Sequence, residues 1–184
     1  TTKFAIDAKN ATTVTIDNAG TISAVTTDTI HCELCSDVTL TNSGNITSGG
    51  TNAVRLDSVS GTNTITNSGT ISAVSSRAIR ITSATGVTIT NEAGGTISST
   101  GLIGIGADNA FSPTITNSGT ISATHLNGFG ILLSQSDASN LGSGATITNT
   151  GTIELSGDNS DGITLGDNTG VYNDATITNS GTIS

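Results

Sequence analysis

Residues 63–72 read NTITNSGTIS, and six variants of this phrase occur along the chain. They are VTIDNAGTIS (14–23), VTLTNSGNIT (38–47), VTITNEAGGTIS (87–98), PTITNSGTIS (113–122), ATITNTGTIE (145–154) and ATITNSGTIS (175–184). Their marker asparagines are Asn18, Asn42, Asn67, Asn91, Asn117, Asn149 and Asn179, spaced by 24, 25, 24, 26, 32 and 30 residues. A second apolar motif follows each of the first six copies: Ile30-x-Cys32, Val54-x-Leu56, Ile79-x-Ile81, Ile103-x-Ile105, Ile131-x-Leu133 and Ile163-x-Leu165. Phe4-x-Ile6 opens the series. Each period therefore holds three short strands separated by turns. A repeat of this length is the mark of a stacked solenoid, since one unit cannot bury its apolar face alone.

Period-two alternation assigns the faces. In TIT and in TIS the isoleucine points one way and its polar neighbours the other. The expected inward columns are Ile16, Leu40, Ile65, Ile89, Ile115, Ile147 and Ile177, then Ile22, Ile46, Ile71, Ile97, Ile121, Ile153 and Ile183. The fold expected is all-β: a right-handed parallel β-helix of about seven coils, three strands per coil, with residues 1–184 as one domain. Such a stack is a rod roughly 30–35 Å long. Left-handed hexapeptide helices and trimeric adhesin heads have shorter periods. At the Asn-x-Gly corner the expectation is a tight turn with residues at positive φ, where glycine is free and asparagine tolerated. Asparagines one coil apart are expected to bond into an amide ladder.

Composition narrows the function. Aromatics are 2% and charged residues 10%, against about 25% charged in ordinary domains. Five basic and fourteen acidic residues give a net charge of −9, which argues against nucleic acid and anionic membrane as partners. No apolar run approaches the ~20 residues needed to span a bilayer, so no direct membrane insertion is expected of this segment. Residues 1–184 contain no recognisable signal peptide, so they are expected to be a mature or excised piece.

The candidate residues divide into three groups. Cys32 and Cys35 lie in HCELC. The motif lacks the four ligands of a zinc site and the βαβ setting of a redox motif. A turn at Glu33-Leu34 would bring the sulfurs within bridging range, so a small structural disulfide is favoured over two free thiols. His31, Arg55 and Arg80 each follow their marker Asn by 13 residues and should project outward in one column, with Arg77 near the same face. That group reads as an anion or partner contact, or as a salt-bridge ladder with Glu33 and Asp57. The longest insertions, SQSDASNLGSG (134–144) and GDNTGVYND (166–174), leave the same corner. They make Gln135, Asp137, Asn140, Asp167, Asn168, Tyr172 and Asn173 the possible binding loops, because loops on a rigid scaffold carry recognition.

No cofactor, metal or catalytic residue is expected. The acidic residues of the last coils, Asp108, Asp137, Asp158, Asp161, Asp167 and Asp174, follow no calcium-loop pattern. Sugar hydrolysis would need a spaced carboxylate pair, and sugar clefts usually add aromatic platforms. Phe4, Phe111, Phe129 and Tyr172 are all the aromatics there are. A polysaccharide-active enzyme therefore ranks low. Thr39/Thr41, Thr64/Thr66, Thr88/Thr90, Thr114/Thr116, Thr146/Thr148 and Thr176/Thr178 would form two ranks of hydroxyls on one face, similar to the ice face of solenoid antifreeze proteins.

The tandem TITNSGTISA units resemble the passenger regions of bacterial autotransporter adhesins over essentially the whole chain. The resemblance implies a right-handed β-helix exported across the outer membrane of a Gram-negative bacterium and displayed at the cell surface or secreted. It also implies a non-enzymatic stalk or adhesive role. Its partners would be a host or neighbouring-cell receptor, or further copies of itself, head to tail or laterally. No GxSxG or chymotrypsin-like serine motif supports the protease branch. Because a solenoid needs covered ends, the segment is expected to be part of a longer repeat array.

Overall fold

The computed structural model describes residues 3–134, 144–166 and 174–184. Every named strand belongs to one of three parallel sheets, each seven strands wide. The first sheet stacks Ile6–Lys9, Ile30–Glu33, Val54–Asp57, Arg77–Thr82, Ile103–Asp108, Phe129–Ser134 and Asp161–Leu165. The second stacks Thr12–Asn18, Ser36–Asn42, Asn63–Asn67, Val87–Asn91, Thr114–Asn117, Thr146–Asn149 and Thr176–Asn179. The third stacks Thr21–Ala24, Asn45–Ser48, Thr70–Ala73, Thr96–Ser99, Thr120–Ala123, Thr152–Leu155 and Thr182–Ile183. The chain visits the three sheets in turn, so each coil contributes one strand to each.

Register follows the repeat. Ile65 aligns with Leu40 and Ile89, and Ile71 aligns with Ile46 and Ile97. All six side chains are buried. The expectation of about seven coils needs correction. About five turns carry a closed core, because the end coils are covered on one side only. Ile177 and Ile183 in the last coil are 45% and 41% exposed, whereas their counterparts Ile147 and Ile153 are buried.

The Asn-x-Gly corner forms for a different reason than expected. Apart from Gly94 in the longer 87–98 copy, none of its asparagines or glycines has positive φ. Glycine is needed there because coils approach closely. A Cβ on Gly44 would collide with the carbonyl oxygen of Gly20, one on Gly69 with that of Gly44, and one on Gly151 with that of Gly119. Ten of the left-handed residues sit instead at the corner between the first and second sheets, in pairs three apart, while Asn127 and Asn159 lie between the third and first sheets. The pairs are Asn10 and Thr13, Leu34 and Asp37, Ser58 and Gly61, Ser83 and Gly86, and Asn109 and Ser112, with φ between 48° and 75°. Most are not glycine, and each such residue costs about 1–2 kcal/mol of backbone energy. The stack holds them there because the residue between each pair's turns is drawn inward: Cys35, Val59, Ala84 and Ala110 are all buried.

A third inward column has no apolar periodicity to announce it. Thr29, Ala53 and Ala78 are buried, and Gly104, Gly130 and Gly162 occupy the same slot in later coils. Small residues are required because the isoleucines of the third sheet fill this space. A Cβ on Gly104 would lie 2.9 Å from Ile121 Cγ2 and 2.7 Å from the Gly130 carbonyl oxygen.

Candidate functional site

Two features stand out, one a spine and the other a charged face. The spine is the row of marker asparagines. Asn18 Nδ2 donates to Asn42 Oδ1 at 2.7 Å, and the pattern continues through Asn67, Asn91, Asn117 and Asn149 to Asn179 at 2.7–2.8 Å. Each Nδ2 also lies within reach of a carbonyl in its own coil and, up to Asn149, of one in the next, as Asn67 does with Gly69 and Thr96. The ladder therefore ties neighbouring coils and closes the corner within each.

The charged face is the outer side of the first sheet. Asp7, His31, Arg55, Arg80 and Gly106 align in one column, and Lys9, Glu33, Asp57, Thr82 and Asp108 in the next. Lys9 pairs with Glu33 at 3.0 Å. Arg55 Nη2 lies 2.5 Å from Asp57 Oδ2, and its Nη1 lies 3.3 Å from Asp28 Oδ2. Arg77 reaches across to Asp108, with its guanidinium lying over Gly106 where a Cβ would meet it. Arg80 Nε stands 3.8 Å from Asp108 and donates to Thr82 Oγ1 at 3.2 Å. Ser134 Oγ donates to Asp108 at 2.6 Å.

His31 departs from the expected outward row. It is only 5% exposed, stacks on Phe4 with ring centroids 4.9 Å apart, and places Nδ1 2.9 Å from Asp7 Oδ1. Its Nε2 is 3.6 Å from Asp57, too far for a hydrogen bond. The first coil, with Phe4 and Asp7, covers it. Asp28, which the sequence reading missed, is the most enclosed charge of the group. It accepts hydrogen bonds from Thr51 Oγ1, from Asn52 backbone N at 2.9 Å and from Asn52 Nδ2 at 2.7 Å. Burial alone would push its carboxyl up, but these donors and Arg55 outweigh it and hold the carboxyl below its ordinary value. His31 Nε2, Asn52 Oδ1, Arg55 Nε and Asp57 Oδ1 are buried without a hydrogen-bond partner among the described residues, all in this one cluster.

The remaining expected residues are placed as follows. Cys32 and Cys35, the pair expected to form a small structural disulfide, are both buried, and both are free thiols in this structure. Each fills an inward slot, Cys32 in line with Ala8 and Leu56. Burial, with Cys35 and then Asp7 nearby, pushes the Cys32 thiol up to about 12. Gln135, Asp137, Asn140, Asp167, Asn168, Tyr172 and Asn173 lie outside the described residues. Their flanks, Ser134 and Gly144, then Gly166 and Asp174, both sit at the corner between the first and second sheets. Among the described residues no helix is long and apolar enough to cross a membrane, and no group of three His, Cys, Asp or Glu is arranged to hold a metal ion.

A family model described as the BigA third pectate lyase-like domain matches residues 3–184. The chain belongs to that family. The match and the three-sheet solenoid together fit a β-helix of bacterial adhesin type. No curated protein and no solved structure matches the chain.

Proposed function

We propose that this chain is a non-enzymatic segment of a bacterial surface adhesin, a rigid right-handed β-helix that presents corner loops to a receptor. The observation that carries the reading is the continuous asparagine ladder beside in-register aliphatic columns, a device that stiffens a rod. The family match supports a surface or secreted bacterial protein, and the repeat sequence favours an autotransporter passenger from a Gram-negative organism. Right-handedness rests on the general rule for parallel crossovers. The charged face favours scaffolding over catalysis, since Asp28, Asp57 and Asp108 are each occupied by an arginine. Receptor contact is assigned to the loops 134–144 and 166–174, with copies of the same chain as a second class of partner.

Display of residues 1–184 on a non-adherent bacterium tests the reading. Adhesion or cell settling above that of the empty display strain is expected, and it should fall when both loops are shortened. Equal adhesion with and without the segment would overturn the adhesin reading. Release of unsaturated sugar from polygalacturonate by the purified chain would overturn the non-enzymatic one.

A second reading is ice binding, favoured by one observation. Thr39, Thr64, Thr88, Thr114, Thr146 and Thr176 align in one rank, and Thr41, Thr66, Thr90, Thr116, Thr148 and Thr178 in another. Asp17 interrupts the second rank in the first coil. Thermal hysteresis of the purified chain decides it, and its absence removes this reading.

A further inference from the structure

We infer that Cys32 and Cys35 form a disulfide site that can be written only while the second coil is open, so that folding locks whichever redox state the pair then has. Three observations carry this. The backbone at Leu34 takes the left-handed conformation, φ 56°, which turns the chain between the two cysteines. The turn sends Leu34 outward, 56% exposed, and draws both cysteines inward to 0% and 1%. The inward slots abut, for Cys35 Sγ lies 3.4 Å from the Ala8 carbonyl oxygen, and Ala8 is the register neighbour of Cys32. Two thiols thus share one pocket of the core with no path for an oxidant as large as a second disulfide.

The chemistry needs an external disulfide, small-molecule or protein-borne. One cysteine thiolate attacks a sulfur of that disulfide, forming a mixed disulfide and releasing one thiolate. The second cysteine thiolate attacks the bonded protein sulfur, closing the Cys32–Cys35 bond and releasing the other thiolate. The pair gives up two protons and two electrons, and the oxidant's disulfide becomes two thiols. Both attacks need a thiolate with an open approach, which the unfolded chain offers and the closed coil does not. The upward push on the Cys32 thiol adds to the same barrier.

The test compares maleimide and oxidised glutathione on the reduced chain, folded and then unfolded in guanidinium. Folded, both thiols should react at least about 100-fold more slowly than when unfolded, since they need a coil opening. Refolding in oxidised glutathione should give a chain lighter by two hydrogens on the peptide carrying both cysteines, with the same far-ultraviolet β-sheet signal. That folded product should resist dithiothreitol until it is unfolded. Cys35→Ala supplies the control: alanine fills the equivalent slot at Ala84 and Ala110, so the variant should fold and leave Cys32 equally protected without any intramolecular bond. Reaction of the folded thiols at the unfolded rate, or failure of the oxidised chain to regain the folded signal while Cys35→Ala folds, would overturn the inference.

Discussion

Asn67 Nδ2 donates to Asn91 Oδ1 at 2.8 Å across one coil boundary, in the middle of a row that runs from Asn18 to Asn179. Both residues are buried. A polar row inside a solenoid is stable only when each member is satisfied on both sides.

Position in that row should set the cost of losing a rung. Asn67→Ala strips partners from Asn42 and Asn91 and from the Gly69 and Thr96 carbonyls, at about 2–3 kcal/mol. Asn179→Ala at the exposed end should cost under ~1 kcal/mol. Urea unfolding of the two variants is the check, and equal costs would mean the ladder does not bear on stability.

Ile71 lies at the centre of the third-sheet column between Ile46 and Ile97. Ile71→Asp places an unpaired carboxylate there, a cost well beyond ~3 kcal/mol. The expected result is loss of the β-sheet circular dichroism signal at room temperature. A variant that folds with the wild-type midpoint would contradict the buried column.

Gly104→Ala tests the small-residue column. Its methyl would meet Ile121 and the Gly130 carbonyl at under 3 Å, so overpacking of about 1–3 kcal/mol is expected. Combined with Ile121→Ala, which removes the Cγ2 that the new methyl would meet, the double variant should lose less than the sum of the two single losses. Additive losses in the double variant would show that the two positions do not share space.

Asp28 gives the fold a defined acid limb. Its folded carboxyl titrates below the ordinary value of 3.8, so its contribution is fully present above that value and disappears as pH falls through the folded value. Asp28→Asn should flatten the decline in stability below about pH 4 relative to wild type, measured by thermal midpoints across an acid series. An unchanged acid limb would show that other carboxylates set it.

Much of the fold was legible because alternation and a long repeat constrain the same residues twice. Ile65 and Ile71 are apolar within a two-residue period and again within one of about two dozen, and only stacked parallel strands satisfy both. The rest was hidden for physical reasons. Gly104 and Ala78 look like unremarkable small residues until the isoleucines of another sheet are seen to fill the space beside them. The Asn-x-Gly corner looks like a left-handed turn, although its glycines answer to a neighbouring carbonyl rather than to their own φ. Leu34 and Thr13, which do adopt left-handed backbone, carry side chains that no turn rule favours. In the charged face, the column of His31, Arg55 and Arg80 could be read from spacing. Asp28 could not, because it sits in a turn one coil away from the arginine it holds. The burial of His31 depends on Phe4 arriving from the first coil.

The asparagine hydrogen bonds join residues 24 to 32 apart, whichever coil they sit in. A chain twice as long would make its contacts across the same short separations. The entropy lost in closing each new coil is therefore nearly constant, since doubling a loop adds only about 0.6 kcal/mol. Assembly can then advance from any formed pair of coils by successive addition, each coil templating the next, so folding time should grow gently with length rather than steeply.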